Sequence, residues 1–172
     1  MNSYILNATE TVKWMSVLEN FNRLDCSFLP EYHLAYCSGN KSSKALMYVL
    51  ESSDNIFAYP FILSQVPRKF CGDGDTFYDI SSVYGYSGPL IKRHDKEFYK
   101  LAWSRFDKWA LENNIICEFT RFSFYLNNSV NAHPETNVTY NRSIAVSYFN
   151  LTKDEHKKII GPKTRNMIAK GL

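Results

Sequence analysis

Apolar residues Trp14, Val17, Leu18 and Phe21 recur at i, i+3, i+4 and i+7, which predicts an amphipathic helix over residues 9–22. Pro30 is suited to a first helical turn and predicts a short second helix at Glu31, Tyr32, His33 and Leu34. Residues 45–51 and 56–63 are apolar runs separated by Ser52, Ser53, Asp54 and Asn55, the pattern of a β-hairpin. Pro60 cannot donate to a strand ladder, so it is expected at an edge or a bulge. Gly72 to Asp75 reads as a turn and residues 76–81 as a short strand.

The longest periodic stretch is residues 95–114, where Phe98, Ala102, Phe106 and Trp109 share one helix face. Residues 115–125 are strongly apolar and read as a strand buried on both faces. Residues 138–148 alternate with period two, as a half-buried strand does. Thr152 to Glu155 forms a capping box, Gly161-Pro162 ends the helix it opens, and a last basic helix is expected over 163–170. A hairpin requires antiparallel pairing, and strand–helix–strand order requires a crossover. The expected class is therefore α+β: one domain over 1–172, its mixed, mostly antiparallel sheet covered by helices.

Composition narrows the class further. The chain has 172 residues, 45% apolar and 22% charged, which excludes disordered and low-complexity classes. No apolar run is long enough to span a bilayer. The first residues carry neither a basic region nor an apolar one, so the expected location is the cytoplasm. Cys26, Cys37, Cys71 and Cys117 follow no metal-binding spacing and are expected as free, mostly buried thiols. No metal site is expected. Residues 1–151 hold 14 Lys and Arg against 15 Asp and Glu, whereas residues 152–172 hold six against two. All the excess positive charge therefore lies at the C-terminal end, where it suits phosphate, nucleic acid or an acidic surface.

Nucleotide-binding, zinc-protease and serine-hydrolase motifs are absent. The stretch that carries candidate chemistry is Tyr84-Gly85-Tyr86-Ser87-Gly88-Pro89, after a strand containing Tyr78-Asp79. Its glycines allow close backbone approach, and its tyrosines offer flat faces and hydroxyls to a sugar or a peptide. Glu118 and Arg121 lie three apart in a predicted strand, hence on opposite faces unless a bulge intervenes.

Four segments resemble the N-terminal half of Fem-type transferases, the peptidoglycan-bridge aminoacyltransferases within the GNAT-like acyltransferase superfamily. They are Asp25-x-x-Phe28-x-Pro30-Glu31-Tyr32, Tyr78-Asp79 through Tyr84-Gly85-Tyr86-x-Gly88-Pro89, Glu118-Phe119-x-Arg121-Phe122 with Asn127, and Lys163-x-Arg165-Asn166-x-Ile168-x-Lys170-Gly171. Ser87 stands where the family commonly has glycine, and Ser123-Phe124 where it often has His-Pro.

The resemblance implies a GNAT-like fold and transfer of an acyl or aminoacyl group to an amine on a cell-envelope precursor or amino sugar. The catalytic candidates are Asp79 and Glu118; the substrate-binding candidates are Tyr84, Gly85, Tyr86, Gly88, Arg121, Phe122, Asn127, Lys163 and Arg165. It also implies that the chain is one half of a two-domain transferase, its second half absent, or a homodimer. No cofactor is expected in this half. Aminoacyl-tRNA or acyl-CoA would serve as donor only with a second half, since the pyrophosphate loop of ordinary GNAT enzymes is missing. Two other readings stand beside it: a non-catalytic glycan- or peptide-binding module, and a nucleic-acid binder acting through residues 153–170.

Overall fold

In the computed structural model, residues 1–40, 42–71, 74, 76–140 and 150–170 are described. They fall into two compact units, Met1–Val138 and Thr139–Leu172. The first contains strands β1 (Asn2–Asn7), β2 (Ser43–Glu51), β3 (Ile56–Gln65), β4 (Tyr78–Ser81), β5 (Leu90–Ile91) and β6 (Ile115–Phe119). Its helices are α1 (Thr11–Leu18), α2 (Pro30–Cys37) and α3 (Lys96–Glu112). The second contains α4 (Lys153–Ile159) and α5 (Pro162–Lys170).

The strands form one sheet in the order β1-β2-β3-β4-β6, antiparallel throughout except for the parallel β4–β6 pair. Helix α3 lies between those two strands in the chain, as a parallel connection requires. The molecule is thus α+β with a mixed, mostly antiparallel sheet. The β2–β3 hairpin, closed by Ser52–Asn55, forms its centre, and its apolar runs are continuous because both faces are covered. Ala45, Met47, Val49, Ala58 and Ile62 pack with Trp14, Val17, Leu18 and Phe28 from the α1–α2 side. Their alternates Leu46, Tyr48, Leu50, Phe57, Tyr59, Phe61 and Leu63 pack with Phe98, Trp103 and Phe106 of α3.

β4 and β5 are a single strand with an interruption. β4 pairs with Ile62–Gln65 of β3, and β5 resumes on the same side at Phe57 and Ala58. Three residues of β3 (Tyr59, Pro60 and Phe61) therefore face eight residues of the neighbouring chain (82–89), which bulge out of the sheet. Pro60 is internal rather than at an edge. It is tolerated because it sits in this break, where neither β4 nor β5 pairs with β3.

Other expectations shift as well. Strand β1 went unrecognised because Asn2–Asn7 is polar at both ends. α1 ends at Leu18, short of the expected residue 22. Residues 138–140 are not strand, and the rest of the alternating stretch, 141–148, lies outside the described residues, as do Gly72, Asp73 and Asp75. β6 is exposed along most of its length rather than buried on both faces, because its only sheet neighbour among the described residues is β4. The cysteines are free thiols, but Cys26 and Cys117 are exposed and Cys37 and Cys71 only half-buried. α4 begins at the capping box of Thr152 and Glu155, and Gly161 precedes α5.

Candidate functional site

The bulge at 82–89 is held from two sides. On one side, Tyr32 of α2 donates its hydroxyl to the Tyr84 carbonyl at 2.6 Å. Ser27, whose backbone N–H is capped by Asp25, places its hydroxyl within reach of both the Asp25 carboxylate and the Tyr86 carbonyl. On the other side, the Ser87 N–H donates to the Arg121 carbonyl at 3.0 Å. The buried Asn128 amide donates to the Ser87 carbonyl at 2.8 Å and the Pro89 carbonyl at 3.3 Å. Gly85 and Gly88 have φ of 127° and 102°, values that side chains disfavour. A Cβ on Gly88 would also meet Phe122 at 3.1 Å and Thr120 and Asn128 at 3.2 Å. Three segments far apart in the chain thus meet around one loop.

What the loop presents is aromatic and cationic. The Tyr84 side chain is 70% exposed and Phe119 58% exposed. The Arg121 guanidinium lies over both rings, 5.4 Å from each centroid. It pairs with no carboxylate among the described residues, so its N–H edge is free for an oxyanion. Tyr86 is half-buried and meets Phe124 edge-on with ring centroids 5.3 Å apart. Phe122 packs beneath Gly88, and Asn127, with φ of 52°, precedes the short helical turn that delivers Asn128.

Glu118 belongs to the opposite face. In the β4–β6 ladder Tyr78 pairs with Ile115 but Asp79 pairs with Cys117, so Ile116 forms a bulge. The added residue aligns Glu118 with Ile80 and turns it toward the α3 side. There the buried Tyr59 hydroxyl donates to Glu118 Oε1 at 2.6 Å, and Thr120 Oγ1 lies 3.3 Å from the same oxygen. Burial, then the Glu118 charge, pushes the Tyr59 hydroxyl well above its ordinary range, so this tyrosine stays a donor. Glu118 lines a shallow cleft of about 240 Å³ with Ile80, Phe106, Asp107, Cys117 and His133. Asp107 and His133 pair there at 3.2 Å.

The structure separates the remaining candidates. Asp79 alternates with Ile80 and so points to the α1–α2 side, away from Glu118. The two carboxylates therefore form no acid–base pair. Glu118 and Arg121 likewise face opposite sides, since the bulge precedes both instead of falling between them. Lys163 and Arg165 stand exposed on α5 in the second unit. Sequence reasoning missed Tyr59, Thr120, Ser27 and Asn128. Tyr59 left one faint signal, a tyrosine beside the single proline of an otherwise apolar strand.

No family model matches the chain, and no curated protein matches it. Among solved structures it is similar to the ribosomal-protein-alanine N-acetyltransferase from Brucella melitensis biovar Abortus 2308. The two are 13% identical over 87% of this chain and 100% of that one, with a TM-score of 0.44. A likeness of that size assigns this chain no residue role and no activity.

Proposed function

We propose that the chain is a GNAT-like acyl- or aminoacyltransferase of the Fem kind, acting on an amine of a cell-envelope precursor or amino sugar. The observation that carries this reading is the meeting of three Fem-like motifs around one loop: Ser27 and Tyr32 on one flank, Tyr84–Pro89 in the middle, and Arg121 and Phe122 on the other. In this reading Glu118 is the general base. An acceptor amine must lose a proton to attack a carbonyl, and a carboxylate oriented by Tyr59 and Thr120 is a defined proton acceptor. Asp107 and Glu135 give the same cleft an anionic lining that favours a protonated amine arriving from solvent.

The Arg121–Tyr84 surface then serves as an anchor. Residues 118 and 121 are separated by about 10 Å along an extended chain. An elongated acceptor laid around the exposed β6 strand brings an anionic group to Arg121 and its amine to Glu118. The acyl donor, aminoacyl-tRNA or acyl-CoA, enters with a second GNAT-like half or a second copy.

The test is transfer of a labelled acyl group from each donor to amino sugars and muropeptides, by the chain alone and with a second GNAT-like half supplied as another chain. Glu118→Gln is expected to lower kcat by roughly 10²–10⁴-fold, and Arg121→Ala to raise KM with little change in kcat. Because Asp79 and Glu118 do not pair, a non-catalytic glycan- or peptide-binding module is the second reading. Ligand binding that is equal in wild type and Glu118→Gln, without transfer from any donor even when a second half is supplied, favours it over the first.

A further inference from the structure

The second unit carries Lys163 and Arg165, substrate-binding candidates by resemblance, in an arrangement that the site built around Glu118 and Arg121 does not use. Helices α4 and α5 have seven and nine residues, and neither buries a single residue. Isolated helices shorter than about 12–15 residues are marginal in water, and an apolar face packed against something normally supplies the rest of their stability. In α5, Thr164, Met167 and Ile168 follow i, i+3, i+4 spacing and share one stripe. Met167 is 67% exposed and Ile168 52% exposed. Lys163 and Arg165 lie one residue to either side of Thr164, hence about 100° around the helix in each direction. Lys170, seven residues after Lys163, continues the first flank. Across 153–170 there are six basic side chains and two acidic ones.

We propose that α4 and α5 form a peripheral membrane-binding element whose partner is an anionic bilayer surface. Exposed Met167 and Ile168 flanked by long basic side chains match the headgroup–acyl boundary: methionine and isoleucine enter the apolar layer while the lysine and arginine heads reach anionic lipid. Nucleic acid would satisfy the six positive charges but offers nothing to Met167 and Ile168. These two side chains therefore decide between the two polyanions. The inference is independent of the chemistry assigned to Glu118 and holds whether or not the first unit transfers acyl groups.

The test is co-sedimentation of the full chain with vesicles of phosphatidylcholine alone and of phosphatidylcholine mixed with phosphatidylglycerol, with a short single-stranded RNA in parallel. Binding to the anionic vesicles is expected to exceed that to neutral ones by about ten-fold or more. Met167→Ser with Ile168→Ser should weaken it several-fold, and Lys163→Glu with Arg165→Glu should abolish it. Far-UV circular dichroism should show added helix on anionic vesicles only. All four side chains are exposed, so near-UV circular dichroism of the variants should stay unchanged, which separates lost binding from lost folding. Equal binding to both vesicle types, indifference to the Met167 and Ile168 changes, or tighter binding to RNA than to anionic vesicles each overturns the proposal.

Discussion

His33 is the clearest case in which one side chain sets a property of the molecule. It is fully buried against Trp14, with ring centroids 5.2 Å apart. Its Nδ1 donates to the Leu29 carbonyl at 3.1 Å, while Nε2 has no partner among the described residues. Burial lowers its pKa to about 4 from the ordinary 6.5, so the folded chain holds it neutral. The contribution is complete above pH 6.5 and is lost as pH falls from there toward 4, because the unfolded chain takes up the proton first. It amounts to roughly 3 kcal/mol. Urea unfolding at pH 7 and pH 4.5 should therefore show a steeper acid loss in wild type than in His33→Phe; equal losses would remove His33 as the cause. Gly88 is the other sensitive residue. Gly88→Ala meets three neighbours at a φ of 102° and should cost about 2 kcal/mol or more. A Cβ on Gly85 finds only ordinary contacts at 3.6 and 3.7 Å and bears the backbone strain alone. Gly85→Ala should therefore unfold at higher urea than Gly88→Ala.

Among the elements, the loop at 82–89 depends on α2 and the turn before it. Tyr32→Phe and Ser27→Ala each remove one hydrogen bond to a loop carbonyl, worth about 1 kcal/mol apiece. The larger expected effect is local: amide order parameters at Tyr84–Tyr86 should fall toward 0.6 or below, while those of β2 and β3 stay unchanged. Order parameters that fall throughout the sheet would mean that these contacts hold up the fold and not the loop. The same region marks what can be read from a sequence. The hairpin and α3 were legible because polar spacers and 3.6-residue periodicity are local signals. The return of the chain to β3 at Leu90 was not, since two residues carry no period. The orientation of Glu118 was equally hidden. Without the bulge at Ile116 the ladder would align Glu118 with Ser81, on the face of Asp79; one extra residue moves it to Tyr59. The residue types of the site were therefore visible, whereas their grouping depended on a single backbone irregularity.

At the scale of the whole molecule, protection is expected to be strongly uneven. The β2–β3 hairpin is buried on both faces, with β1 on one flank and β4 and β5 on the other, and Trp103 and Phe106 of α3 seal one of its sides. The second unit has two short helices, both exposed, and its ion pair between Lys157 and Asp154 at 3.4 Å is a surface contact worth little. Opening α4 or α5 exposes no new apolar core, whereas opening β3 exposes nearly all of it. Amide hydrogen exchange should therefore be slowest at Met47–Val49, Phe57–Tyr59 and Phe61, with protection near the global unfolding free energy, and fast throughout 153–170 in plain buffer. Anionic vesicles should slow exchange in 153–170 and leave the hairpin as it was. Strong protection of α4 and α5 in buffer alone would mean that the two helices are held by protein contacts, and the membrane reading would lose its physical basis.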